Sequence, residues 1–123
     1  QVPALVGTMS AAACLVRSQF SKISSAPTKY AEYLACGVPS VVVDGVGDLS
    51  EIAEGDRVGI VAKRFDGTNI ENMAKAIIQM AGEKGVRERC RSTAERRFSV
   101  TSGAEKYRSI YATVLNQEVT SNA

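Results

Sequence analysis

With 123 residues, 45% of them hydrophobic, the chain has the material for one compact core, which excludes intrinsic disorder. Histidine is absent, which removes Ser-His-Asp and Cys-His nucleophile chemistry and nearly all zinc sites. The three cysteines, Cys14, Cys36 and Cys90, show no CxxC spacing and read as small core residues in a reducing compartment. The net charge is only +2, and neither a bilayer-length apolar run nor a signal-peptide pattern is present, so the expectation is a soluble intracellular chain.

In chain order, a helical stub is expected around Val2 to Ser10, then a short strand within Ala11 to Val16, and a polar loop from Arg17 to Ala26. Thr28 to Cys36 reads as a helix. Pro27 suits its first turn and Ser24 or Ser25 offers a capping hydroxyl. Thr28, Lys29 and Glu32 fall on one side of that helix, and Tyr30, Ala31, Leu34 and Ala35 on the other. Gly37 supplies a left-handed stop, Pro39 blocks continuation, and Ser40 to Val43 reads as a strand buried on both faces.

Asp48 and Glu51 have capping-box spacing for a short helix that turns Leu49, Ile52 and Ala53 inward, and Val58 to Ala62 reads as a third strand. Thr68 and Glu71 repeat the capping pattern ahead of Ile70, Met73, Ala74, Ile77, Ile78 and Ala81, which recur at the helical period. Val86, Cys90, Ala94 and Phe98 form a narrow apolar stripe on a charged helix. Ser99 or Ser102 starts a last helix with Ala104, Tyr107, Ile110, Tyr111, Val114 and Leu115 on one face, and the tail from Gln117 is polar. From Lys84 to Arg108 there are eight basic residues against three acidic ones. That excess reads either as a solvated helix face or as attraction to an anionic membrane surface or another domain.

Alternating strands and helices predict an α/β layer structure with a parallel, Rossmann-like sheet, in which ligands bind beyond the carboxyl ends of the strands. The loops Arg17 to Ala26, Asp44 to Asp48 and Lys63 to Thr68 lie at those ends. All carry the Gly, Ser, Lys or Asp residues that a phosphate or sugar site requires, although Gly45-Val46-Gly47 also suits a plain strand-to-helix turn. Three strands make a narrow sheet for so many helices. Together with an opening Gln-Val-Pro, this predicts a further part of the protein ahead of Gln1.

The segment Ser25-Ala26-Pro27-Thr28-Lys29-Tyr30-Ala31-Glu32-Tyr33-Leu34-Ala35-Cys36-Gly37-Val38-Pro39 resembles the donor-binding helix of retaining glycosyltransferases of the GT-B type, of the family 4 kind (glycosyl transferases group 1). Met9 to Val16, Asp44 to Ile52 and Arg97-Phe98-Ser99 support the likeness. The resemblance implies that residues 1–116 are a fragment of the C-terminal, nucleotide-sugar-binding domain, while the polar composition of 117–123 predicts a disordered tail. It implies sugar transfer from a nucleotide-diphosphate sugar to a hydroxyl acceptor, without metal or cofactor, and a separate N-terminal acceptor domain.

In that family two acids on the helix, separated by seven residues, address the donor. Glu32 matches the second, which holds the ribose, whereas Ser24 stands where the first would be. The implied donor contacts are Glu32, Lys29, Thr28, Pro27, Ser25 and Ser24, with no catalytic residue assigned in this stretch. The expected partners are the nucleotide sugar, the acceptor domain and, through the basic segment, peripheral contact with the inner face of a membrane from the cytoplasm; no nucleic acid is implied. The loss of the first acid favours the alternative of a non-catalytic nucleotide-binding or partner-docking domain. An epimerase is disfavoured because there is neither a histidine nor a pair of neighbouring carboxylates for proton abstraction.

Overall fold

The computed structural model describes residues 2–15, 28–63, 67 and 69–121. The elements run α1 (Val2–Val6), β1 (Ala12–Cys14), α2 (Thr28–Ala35), β2 (Ser40–Val43), α3 (Leu49–Gly55), β3 (Gly59–Ala62), α4 (Ile70–Ala81), α5 (Val86–Phe98) and α6 (Val100–Ser121). The three strands form one parallel sheet in the order β1-β2-β3, flanked by helices, an α/β arrangement consistent with a Rossmann-like fold.

The register aligns Cys14 with Val42 and Val41 with Ile60, so the period-two alternation of strand side chains sorts the core into two layers. On one face Cys14 and Val42 pack with Tyr30 and Leu34 of α2, Leu49 and Ile52 of α3, and Val86, Cys90 and Ala94 of α5. On the other, Val41 and Ala62 meet Ile77 of α4, with Met73 beside them. Every residue of β2 is buried, as a central strand covered on both sides requires.

The stop after α2 is a Schellman motif. Gly37 adopts φ 79°, its N–H donates to the Leu34 carbonyl at 2.9 Å, and the Val38 N–H donates to the Tyr33 carbonyl at 2.9 Å. Pro39 then leads straight into β2, and its carbonyl accepts from Ala12 N–H at 3.0 Å to extend the pairing of β1 with β2.

Two capping expectations are corrected. Asp48 precedes α3 without a side-chain capping bond; the carboxylate that braces this turn is Asp44, which accepts from the Ser50 hydroxyl at 2.7 Å. Asn69, not Thr68, stands at the start of α4, also without a side-chain bond, and Thr68 lies outside the described residues.

Between α5 and α6, Ser99 takes an extended conformation (φ −67°, ψ 144°) and its hydroxyl accepts the Ser102 N–H at 3.1 Å. Ser99 is therefore the N-cap that starts α6, ahead of Ser102. The apolar residues of α6 do share one face, but that face is uncovered: Tyr107, Ile110, Tyr111, Val114 and Leu115 are all exposed. Helical backbone continues through 117–121.

The basic segment is not a simple solvated face either. Arg87 donates to the carbonyls of Gly7 and Met9, Arg89 to the Arg57 carbonyl and to Glu83, and Arg96 and Arg97 to Asp56. These arginines clamp α5 to the rest of the fold.

Candidate functional site

Parallel strands joined by helices bring each helix start to the carboxyl side of the sheet, where the strand dipeptides give way to loops. The start of α2, at Thr28, stands there. Of the residues expected at this tip, Ser24, Ser25 and Pro27 lie outside the described residues, as does the loop from 16 to 27; Thr28, Lys29 and Glu32 are described.

Helical spacing decides how these three are presented. Tyr30 and Leu34 are fully buried against the sheet, which leaves Thr28, Lys29 and Glu32 exposed. Lys29 lies near the end of β1: its charge partly offsets the rise in the Cys14 thiol pKa that burial produces. Glu32 turns toward α5 instead. Among the described residues no ion pair joins Lys29 to Glu32, so the pairing that their spacing allows does not form.

Thr28, Ala31, Glu32 and Ala35 form one wall of a groove of about 490 Å3. Arg91, Ala94, Glu95 and Phe98 of α5 form the other, and Ser99 and Val100 lie at the α5–α6 junction. Ala31 and Ala35 thus belong to the same wall as Glu32 and not to the opposite, core-facing side of the helix. Phe98 sets the depth of the groove by packing edge-on against Tyr30, with ring centroids 6.4 Å apart and planes at 83°.

Ala94 and Phe98 of the α5 wall are singled out by the sequence, whereas Arg91 and Glu95 are not. Their signal was present in the Val86, Cys90, Ala94, Phe98 stripe, since Arg91 and Glu95 each follow a stripe residue and so border the buried face. What hid them is that only tertiary packing reveals which helix lies across from Glu32.

Chemically, an unpaired carboxylate can accept two hydrogen bonds from a vicinal diol, and a hydroxyl and an ammonium stand within one turn of it. The Gly45 and Gly47 turn serves the core. Both glycines have positive φ, 81° and 51°, and this conformation folds Val46 back into the buried cluster. The loop 63–68 falls mostly outside the described residues. Among the described residues no group of His, Cys, Asp and Glu side chains is arranged to hold a metal ion. Comparison of the chain with protein-family models, with curated proteins and with solved structures finds no match in any of the three.

Proposed function

We propose that this chain is the donor-side part of a retaining GT-B glycosyltransferase that moves a sugar from a nucleotide-diphosphate sugar to a hydroxyl acceptor. The observation that carries the reading is the presentation of Glu32: exposed, without an ion-pair partner among the described residues, on the wall of a groove at the first turns of α2. In this reading Glu32 accepts the two ribose hydroxyls of the donor. The N–H groups at the start of α2, with Lys29 and Thr28, meet the diphosphate. Negative charge gathers on the diphosphate as the glycosidic bond breaks, so donors already fixed there stabilise the transition state more than the ground state. A separate N-terminal domain would hold the acceptor hydroxyl.

Calorimetric titration with uridine, guanosine and adenosine diphosphates tests this. One nucleotide should bind, Glu32→Ala should weaken it about tenfold or more, and the 2′-deoxy nucleotide should bind weakly to both proteins, because the lost bonds are those to the ribose. Equal affinity of wild type and Glu32→Ala for the same nucleotide would show that Glu32 does not hold the ribose. Ser24, in place of the first acid, favours a second reading, a nucleotide-binding domain without turnover. Binding with no donor hydrolysis in the intact protein would support it.

A further inference from the structure

From the exposed face of α6 we infer that this helix is an interfacial anchor that lies on an anionic lipid surface, independently of whether the α2 groove binds a nucleotide. From Ala104 to Asn116 every residue of α6 is exposed, and Tyr107, Ile110, Tyr111, Val114 and Leu115 are each between 47% and 67% accessible. A single helix with no covered face gains little from its own hydrogen bonds in water, so its stability calls for a surface that buries the apolar side.

The arrangement of charge identifies that surface. At 3.6 residues per turn the five apolar side chains span an arc of roughly 140°. Arg108 borders the arc beyond Leu115, Lys106 borders it beyond Ile110, and Glu105 is on the opposite side. Both cations are exposed and neither makes an ion pair among the described residues. An apolar stripe edged by cations, with two tyrosines whose rings are apolar and whose hydroxyls stay wet, matches the boundary between acyl chains and anionic headgroups.

This relocates the membrane contact expected from the whole basic segment. Arg87, Arg89, Arg96 and Arg97 of α5 are bound to carbonyls and carboxylates of the fold, which leaves α6 to present free cations beside an apolar stripe. No helix among the described residues is long and apolar enough to cross a membrane, so α6 would lie in the interface plane.

Co-sedimentation with mixed phosphatidylcholine–phosphatidylglycerol vesicles, compared with pure phosphatidylcholine, tests the anchor. Binding should favour the anionic vesicles and weaken as salt rises to about 0.5 M. Lys106→Glu and Arg108→Glu should each reduce partitioning about fivefold or more, and Ile110→Asp about tenfold. The exposed Lys84→Glu, away from α6, should leave it near wild type, and circular dichroism should show all four variants folded. No binding at low salt, equal binding to neutral vesicles, or a Lys84→Glu loss as large as that of Arg108→Glu would overturn the inference. So would concentration-dependent self-association that Ile110→Asp abolishes, which would make the face a contact between copies.

Discussion

Asp56, at the C-cap of α3, accepts hydrogen bonds from Arg97 Nε at 2.8 Å and Arg97 Nη2 at 3.3 Å, with Arg96 Nη2 also at 3.3 Å. A carboxylate at a helix C-terminus opposes the helix dipole, so this pair of arginines offsets an unfavourable position and ties α3 to the last turn of α5. The hydrogen bonds from Arg97 hold the Asp56 carboxyl below its ordinary value of 3.8. Because the folded pKa is depressed, the stabilisation is present above that ordinary value and is lost as pH falls through the folded pKa. The side chain is 12% exposed but Arg97 is 32% and Arg96 59%, so solvent screens part of the interaction. Asp56→Asn should therefore cost about 1–2 kcal/mol in urea unfolding at neutral pH. The difference from wild type should shrink as pH falls below 3.8 and through the depressed folded pKa, where Asp56 becomes uncharged like the asparagine. An undiminished difference at low pH would mean that packing, not charge, sets the effect.

Gly59 opens β3 opposite Ser40, and a Cβ there would overlap the Ser40 carbonyl oxygen while also meeting the Ala53 Cβ at 3.3 Å. The clash is with backbone on one side and a packed helix on the other, so neither can yield cheaply. Gly59→Ala should destabilise by about 2–3 kcal/mol, in the range of an overpacked core. Gly67→Ala, with open space around the added carbon, serves as the control and should unfold near wild type.

Tyr30 is completely buried, and its hydroxyl has no hydrogen-bond partner among the described residues. Burial is the main cause of a phenol pKa raised far above its ordinary value, and the nearby Asp56 charge adds to it. An unpartnered buried hydroxyl gives up its hydration for nothing, whereas the ring keeps its contact with Phe98 in either residue. Tyr30→Phe should leave stability unchanged or raise it by about 1 kcal/mol in thermal unfolding. A loss of that size would show that the hydroxyl is bonded in solution.

The limits of the sequence reading follow from which interactions are local. Gly37 and Pro39 act on their own neighbours, and the Val41-Val42-Val43 run needs only burial on both faces, so the end of α2 and the whole of β2 were legible. The inward stripe of α5 was legible for the same reason. Capping was not: spacing marks Asp48 as a candidate, but Ser50 reaches across the turn to Asp44, and backbone dihedrals decide which carboxylate is in range. Asp56 gave no signal, since its partners are about forty positions away and only the docking of α5 supplies them. The same reason hid the Arg91 and Glu95 side of the groove, while periodicity placed Glu32 on the exposed side of α2 and only the resemblance to a donor-binding helix singled it out.

Thiol reactivity checks the core assignment of α5 directly. Cys90 is fully buried, and burial pushes its thiol up to about 11; Cys14 is buried at the end of β1 and its thiol is also raised by burial. Alkylation requires thiolate and access together, so both residues are protected twice. Cys36, in the turn after α2, is only half-buried and is the most accessible of the three thiols. Iodoacetamide at about pH 8 should therefore modify Cys36 first in the native protein, with Cys90 and Cys14 reacting orders of magnitude more slowly and only through opening of the core. Asp56→Asn, by loosening the hold of α3 on α5, should accelerate Cys90 in proportion to its loss of stability and leave Cys36 unchanged. Native-state labelling of Cys90 as fast as that of Cys36, read by peptide mass spectrometry, would place α5 outside the core.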